Sequence, residues 1–271
     1  MSRLAFNLHA AGVLAPGLAS LAQLRSVCRG ATLYAAQPLQ LPTPSMLPNH
    51  ERRRASQVVR LVLACIAQAL EASPFPADSL RSVFATDEGT GEVCQQMLET
   101  LATTRQVSPL LFPNSVHNAP SGYFSIAWRN RQSATVISMG LESFASGLLC
   151  AVTEASAARQ PVLLVVYDPA MTSPLNELLP VNDATATAWV ISCGQPDEAV
   201  PRLGSFALTL APAGIQAPSP LPPWLPAAWS GHSSARALTA LGLLEAGPEA
   251  ECRLSLGAQL LTLRRSVGAY A

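Results

Sequence analysis

A serine, a histidine and two aspartates are the residues of this sequence whose types could support covalent acyl chemistry. Ser143 stands at the start of a run of small residues, where it could act as a nucleophile with His117 as its general base. Asp168 or Asp183 could orient the imidazole, because geometry and not chain order sets the three roles. The stretch lacks the Gly-x-Ser-x-Gly pattern, and a serine at a helix start is more often a capping residue. An acyl hydrolase or acyltransferase that depends on Ser143 is therefore an alternative interpretation.

Composition disfavours several other chemistries. The six cysteines are dispersed without a Cys-x-x-Cys pair, so neither a metal site nor a dithiol redox motif is predicted. All 17 basic residues are arginine, which excludes a lysine Schiff base and a Walker-type phosphate loop. The segment Gly89–Gly91 is too short for a nucleotide loop and is interpreted as a turn. We expect no metal and no cofactor.

Charge and hydropathy limit the partners. The 17 acidic residues balance the 17 basic ones, so no global field attracts nucleic acid. The chain is 49% hydrophobic and 13% charged, enough for a buried core. Its longest helical apolar stretch, Val58 to Leu70, contains Arg60 and is shorter than the ~20 residues that span a bilayer. We expect a cytoplasmic protein with reduced thiols and no membrane insertion.

Helices and strands that alternate along the chain must position these residues. Hydrophobic patterns predict helices at 18–28, 56–72, 93–103, 119–128 and 141–158, and strands at 4–8, 82–85, 134–138, 162–167 and 185–192. A strand at 206–210, a proline-rich loop at 212–226, a helix at 234–245 and a final strand at 254–263 follow. This alternation predicts an α/β fold with a layered mixed sheet and helices on its faces.

The segment from Ser108 to Asp168 resembles the N-terminal half of β-ketoacyl-acyl-carrier-protein synthases, which belong to the thiolase-like superfamily. Three runs carry the resemblance in order: Pro109-Leu-Leu-Phe-Pro113, Ser115-Val-His-Asn118 before a helix, and Ala145-Ser146-Gly147 before a long helix. Upstream, Leu47–Ser56 resembles the stretch that precedes the first long helix of these enzymes. The similarity covers about residues 4–192. It implies a thiolase-like domain at 1–195 and a C-terminal proline-rich extension at 196–271 that packs on the same domain.

The sequence departs from this family at the nucleophile. In ketosynthases a cysteine precedes Ala-Ser-Gly at a helix N-terminus, where the helix dipole and backbone donors favour a thiolate and an oxyanion. Phe144 occupies that position here and has no nucleophilic atom. The histidines and lysine that assist decarboxylation belong to a C-terminal half for which the chain is too short, and His232, in Gly231-His-Ser-Ser, resembles one such motif only weakly. The resemblance thus implies no catalytic residue, and Phe144 fills the vacated pocket or packs as ordinary core.

A ketosynthase-like chain without this cysteine resembles the chain-length factors of bacterial type II polyketide systems, and above all the ketosynthase-like proteins of aryl polyene and xanthomonadin clusters. This implies a non-catalytic subunit that forms a heterodimer with a catalytic β-ketoacyl synthase and shapes its acyl tunnel. An acyl carrier protein is a further candidate partner, and a carrier-protein binding module that uses Arg52–Arg54 is the third interpretation. The candidate interface or tunnel residues are Ser115, Val116, His117, Asn118, Glu142 and Ser143.

Two of these assignments have simpler alternatives. His117 and Asn118 could instead satisfy backbone groups where the following helix begins. Glu142 could pair with an arginine of the partner, but we expect it to cap the following helix, where a negative charge is favoured.

Overall fold

One mixed sheet organises the chain. A computed structural model describes residues 3–109, 111–195, 197–214 and 216–266. Its strands are β1 (Arg3–Leu14), β2 (Arg81–Ala85), β3 (Ala134–Ile137), β4 (Val162–Asp168), β5 (Thr185–Ser192), β6 (Gly204–Pro212), β7 (Glu251–Leu256) and β8 (Gln259–Ser266). They lie in the order β3-β2-β4-β5-β1-β6-β8-β7. Only β3, β2 and β4 run parallel to one another, and the other neighbouring pairs are antiparallel. The predicted α/β layered mixed sheet is confirmed.

Helices cover both faces of this sheet. They are α1 (Leu21–Cys28), α2 (Asn49–Arg54), α3 (Gln57–Glu71), α4 (Gly91–Thr104), α5 (Ala119–Trp128), α6 (Ser143–Ala158), α7 (Leu175–Leu178) and α8 (Ser233–Leu241). One core cluster lies under α3 and α5, and the other lies under α6, α8 and α1. All seven residues of β4 are buried, because its successive side chains enter the two cores in alternation.

The first strand is longer than predicted. The sequence predicts a strand at 4–8, but β1 runs from Arg3 to Leu14. Gly12 is required there by packing, since a Cβ atom at this position would lie 2.1 Å from the Cys65 carbonyl oxygen of α3. The glycine thus marks a close approach of helix to strand, and the prediction of a short strand is wrong.

The C-terminal segment adds to the same sheet. The prediction of a single final strand at 254–263 is wrong: β7 and β8 form a hairpin that turns at Gly257, whose φ is +59°. Strands β6, β8 and β7 extend the sheet beyond β1, and the proline-rich loop places Leu221, Trp224 and Leu225 on the core. The helix expected at 234–245 ends at Leu241 and continues as a short 3₁₀ turn. Pro196, Ile215 and residues 267–271 of the predicted extension lie outside the described residues, as does Leu110.

The topology brings one edge of the sheet to the candidate site. Parallel strands β2, β3 and β4 end at the same edge, so the residues that follow them lie together. Helix α6 begins at this edge after a short turn from β3, and α8 begins against the end of β4.

Candidate functional site

The turn between β3 and α6 sets the position of the expected nucleophile. Gly140, with a φ of +58°, allows the chain to reverse before the helix begins. In the first turns of α6, a Cβ atom on Gly147 would lie 2.6 Å from the Cβ of Ala85, so only glycine allows the helix this close to β2. The glycine of the Ala145-Ser146-Gly147 run is therefore explained by close packing of helix on strand.

Phe144 lies in the core under this turn. Its side chain is fully buried, and its ring packs edge-on against Trp189 of β5 with the ring centroids 5.4 Å apart. Its backbone N–H donates to the Ser233 Oγ over 2.8 Å. The position that the sequence resemblance aligns with the ketosynthase thiol thus holds an aromatic ring, and the backbone donor beside it already has a partner.

The Ser143 hydroxyl makes hydrogen bonds within the β3–α6 turn. The residue is fully buried, its Oγ accepts from the Met139 N–H over 2.8 Å, and its hydroxyl donates to the carbonyl of Gly140 or of Thr86. These bonds tie the β3–α6 turn to the end of β2. Among the hydrogen bonds of the described residues, none joins Ser143 to His117.

The aspartates proposed as orienting groups are engaged elsewhere. Asp168, at the end of β4, accepts from the Asp87 N–H over 3.0 Å, and from both the N–H and the hydroxyl of Ser234 over 2.7 Å. Asp183 accepts from the Trp229 indole N–H over 2.8 Å. His117 is exposed. In the described part of the chain, the structure does not bring Ser143, His117 and either aspartate together as a hydrogen-bonded triad.

A buried polar cluster lies where α8 meets β4 and β5. It consists of Asp168, Thr185, Ser233 and Ser234, all of which are buried, and the Thr185 hydroxyl hydrogen-bonds to that of Ser234. The cluster accepts from one backbone donor in the first turn of each helix, the Phe144 N–H of α6 and the Ser234 N–H of α8. Sequence reasoning missed it, because its members come from segments far apart in the chain.

His232 comes directly before Ser233 and Ser234 of this cluster in the chain, and its sequence motif had indicated only a weak resemblance. Its ring is fully buried and stacks on Trp229, and neither ring nitrogen has a hydrogen-bond partner among the described residues. Burial lowers the pKa of His232, while the charges of Asp168 and Asp183 act in the opposite direction. The Gly-His-Ser-Ser run was the available signal, since it places the histidine and both cluster serines at the start of α8.

The Ser115–Asn118 segment borders an open cavity. His117 and Asn118 line a space of about 360 Å³ together with Val136 of β3 and Ser138. The side chain of Asn118 makes no capping bond to α5, although Asn118 is the residue at which that helix begins. At the start of α5, the backbone carbonyl of Asn118, and not its side chain, makes the hydrogen bonds: it accepts from the Gly122 N–H and the Ser121 hydroxyl. Both side chains are left free to line the cavity.

Glu142 is the N-cap residue of α6, as expected, but its carboxylate does not cap the helix. Its carboxylate makes no capping bond to α6 and instead accepts from the Ser255 hydroxyl over 2.8 Å and from the Gly257 N–H over 2.9 Å. The correction follows from the β7–β8 hairpin, because its turn presents two donors to this carboxylate. Glu142 therefore fixes the C-terminal hairpin to the start of α6.

Asp87 is the titratable group with an unusual environment at this edge. Burial, followed by the negative charges of Asp168 and Glu88, raises the pKa of Asp87 to about 6. The Ser138 hydroxyl donates to the Asp87 carbonyl, which joins the ends of β2 and β3. The Asp87 carboxyl therefore changes charge near neutral pH beside the β3–α6 turn.

Of the three arginines Arg52–Arg54, Arg52 makes hydrogen bonds within the fold. Arg52 donates to the carbonyls of Ser45 and Leu47 and so holds the loop before α2, while Arg53 and Arg54 are exposed.

In the described ranges, no group of three or more His, Cys, Asp or Glu side chains is arranged to hold a metal ion. No described helix is both long and apolar enough to cross a membrane.

Solved ketosynthase structures share this fold. A chain of the ketosynthase ApeO in complex with its chain length factor ApeC, from Xenorhabdus doucetiae, aligns with a TM-score of 0.71 at 23% identity over 97% of this chain and 100% of that one. A chain of the AntDE:AntF complex, a type II polyketide synthase acyl-carrier protein with its ketosynthase bound to the hexaketide, aligns at 0.73 and 12% identity over 97% and 99%.

Longer ketosynthases match over only part of their length. Ketosynthase twelve of the bacillaene polyketide synthase from Bacillus amyloliquefaciens aligns with a TM-score of 0.59 at 12% identity, over 81% of this chain and 47% of that one. No curated protein matches the sequence.

The family model for the N-terminal domain of β-ketoacyl synthases matches residues 28–206. That range includes the β3–α6 turn and the strands on either side of Phe144, and the thiolase-like ketosynthase fold agrees with it. The chain therefore belongs to the β-ketoacyl synthase N-terminal domain family.

Proposed function

We propose that this chain is a non-catalytic, chain-length-factor-type subunit that pairs with a catalytic β-ketoacyl-acyl-carrier-protein synthase. It would shape the space into which the growing chain extends in polyene or fatty-acyl biosynthesis. The observation that carries this proposal is Phe144, a buried aromatic ring that packs against Trp189 at the position that the sequence resemblance aligns with the ketosynthase nucleophile. Such a side chain contributes volume and shape to the site and no bond-forming atom.

The length of the matching chains supports a subunit role. Chains from two complexes, one of a ketosynthase with its chain length factor and one of a ketosynthase with its carrier protein, are covered over 100% and 99% of their length. The bacillaene ketosynthase is covered over only 47%. A short form of the fold therefore occurs among proteins that work in such complexes.

The edge of the sheet at β3 offers a surface for the partner. β3 pairs only with β2 in the described sheet, so its other edge presents unpaired backbone groups. Two segments adjoin this edge: the turn that follows β3, and the residues before α5, of which His117 and Asn118 line one cavity with Val136 of β3. We call their exposed apolar side chains the β3-side patch: Phe112, Val116, Met139 and Leu141, which are 59%, 41%, 54% and 50% exposed. Exposed apolar side chains grouped in this way mark interaction surfaces.

The cavity beside β3 supports a tunnel wall at the same edge. His117 and Asn118 line it together with Val136 of β3, so a partner that pairs along β3 would close over the space. The expected interface and tunnel residues would then act together, with Val116 in the contact and the adjacent His117 and Asn118 facing the enclosed volume. Ser115 would hold this segment, since its carbonyl accepts from the Thr90 hydroxyl at the start of α4.

Co-expression with a ketosynthase encoded beside this chain, followed by size-exclusion chromatography, tests the pairing. We expect one heterodimer peak, with the affinity lowered at least about tenfold by Val116→Glu or Met139→Glu, because each buries a charge in an apolar contact. The matched control is Leu33→Glu, at a 93% exposed leucine that follows α1, a helix that packs on β1 and not on β3; three strands separate β1 from β3 in the described sheet. Chromatography that shows two independent monomers, or equal loss in all three variants, would contradict the proposed surface.

A further inference from the structure

A second cavity lies on the other side of the first turn of α6. It has a volume of about 280 Å³ and is bounded by α6, α8, β7 and the proline-rich loop. Its apolar wall comes from Leu141, Ala145, Pro218 and Leu254, and two arginines, Arg236 and Arg253, also line it. A volume near ~300 Å³ with an apolar wall and a few convergent polar groups is typical of the smaller ligand pockets.

The two guanidinium groups are incompletely matched by the protein. Arg236 uses one nitrogen to donate to the Ser219 carbonyl over 3.0 Å, and no carboxylate of the described residues lies within 4.0 Å of its guanidinium. Arg253 pairs with Glu251 at 3.3 Å, but its Nε–H is buried and has no partner in the described part of the chain. A guanidinium has five N–H donors, so several remain available to a ligand.

One acidic residue, Glu142, also lines the cavity. Both Glu142 oxygens accept from neutral donors of the β7–β8 hairpin, Ser255 Oγ and the Gly257 N–H. No ion pair within 4.0 Å among the described residues joins Glu142 to either arginine. The lining residues thus carry two positive charges and one negative charge, and the buried Arg253 Nε–H, which has no partner among the described residues, is a donor that favours an anion.

We propose that this cavity binds an amphipathic anion, namely a carboxylate or phosphate head group on a short apolar chain. The head group is held by the Arg236 and Arg253 guanidinium groups, with planar, two-point contacts that suit carboxylate and phosphate alike. The apolar chain packs on Leu141, Ala145 and Leu254. This site is separate from the cavity at His117 and Asn118, and it does not depend on the subunit role of the chain.

Isothermal titration of the full chain, alone and in complex with its ketosynthase, tests the site. The probes are hexanoate, hexyl phosphate, inorganic phosphate and hexanol. We expect hexanoate or hexyl phosphate to bind at least about tenfold more tightly than hexanol and than inorganic phosphate, because both the charge and the chain contribute. The preferred head group, carboxylate or phosphate, identifies the class of ligand.

Variants of the two arginines distinguish the loss of a contact with the ligand from a general effect of removing an arginine. Arg236→Met should weaken the preferred probe at least about tenfold, while Arg236→Lys should retain part of the affinity because it keeps the positive charge. Arg253→Gln provides a second variant in case Arg236→Met does not fold. Arg264→Gln is the matched control, since Arg264 pairs with the same Glu251 but lies outside the cavity. Equal affinity for hexanol and hexanoate, loss of affinity in Arg264→Gln as large as in Arg236→Met, or no binding of any probe would overturn the proposal.

Discussion

The Phe144 backbone N–H donates to the Ser233 hydroxyl over 2.8 Å, across 89 residues of sequence. Phe144 lies inside the range that matches the ketosynthase N-terminal domain, 28–206, and Ser233 lies beyond it. The C-terminal segment therefore completes the first turn of α6 and closes the site around the aromatic ring. This relationship makes the site a packed element of the core.

Removing the Ser233 hydroxyl should destabilise the fold. Ser233→Ala leaves the buried Phe144 N–H without an acceptor, which costs about 1–3 kcal/mol in the free energy of unfolding. Urea denaturation monitored by circular dichroism measures the change. Thr239→Ala is the control on the same helix, because that half-buried hydroxyl only donates to Ala235 of its own helix. A loss in the control as large as that in Ser233→Ala would contradict this role.

The stability of the fold should depend on the volume of the buried Phe144 side chain. Phe144→Ala opens a cavity in a fully buried cluster and should lower the free energy of unfolding by about 3–5 kcal/mol. Phe112→Ala removes the same atoms from a 59% exposed site and should change it by no more than about 0.5 kcal/mol. Chemical denaturation of both variants checks the difference, and similar values would show that Phe144 is not held by the core.

The Asp87 carboxyl should destabilise the fold when it is ionised. Its folded-state pKa of about 6 lies above the ordinary value of 3.8, so the folded chain binds the proton more tightly than the unfolded chain. Asp87→Asn should therefore raise the stability at about pH 7.5 by up to about 1 kcal/mol, limited by solvent screening of a half-buried group. The gain should disappear as the pH falls through about 6 toward about 4.

Urea denaturation at several pH values tests this dependence. Asp78→Asn, at an exposed position, is the control for the loss of one carboxylate and should change the stability by no more than about 0.5 kcal/mol. A gain in Asp87→Asn that is the same at low and neutral pH would contradict the assignment.

His232 should make the fold less stable in acid. Burial holds the pKa of His232 below its ordinary value of 6.5, so the unfolded chain binds the proton more readily and stability is lost as the pH falls below that value. His232→Leu removes two buried nitrogens without partners and should leave the stability at about pH 7.5 nearly unchanged. Between about pH 7.5 and about pH 5.5, the variant should lose less stability than the wild-type chain.

Thermal melts across this range measure the slope. His50→Leu controls for the loss of one histidine, because the His50 side chain is 70% exposed. If both variants show the same slope as the wild-type chain, the buried imidazole is not the source of the acid sensitivity.

Locally determined elements were predicted well. Helix α5 and strand β5 lie within the bounds that the sequence indicates, 119–128 and 185–192, because apolar periodicity within each segment decides its type. The final hairpin was missed, since the apolar pattern runs through Leu254–Leu263 with only Gly257 to mark the turn.

The contacts of the site could be predicted only in part. The motif placed Phe144 at the start of α6, where the structure has it. The acceptor of its N–H, the donors to Glu142 and the Ser234 donors to Asp168 come from the C-terminal segment, 66 to 115 residues away. Such pairs leave no local pattern, because they depend on which strands are neighbours in the sheet. Glu142 was therefore assigned to a cap, the nearest group that its sequence position suggested.

The absence of a nucleophile at position 144 is the central claim, and acyl labelling tests it most directly. The purified complex with a catalytic ketosynthase is incubated with an acyl thioester of the acyl carrier protein, and the intact mass of each subunit is measured. We predict one acyl group on the ketosynthase, lost when its cysteine is replaced by alanine, and no mass change on this chain. An acyl adduct on this chain that disappears in Ser143→Ala would contradict the account and establish the serine-dependent activity instead.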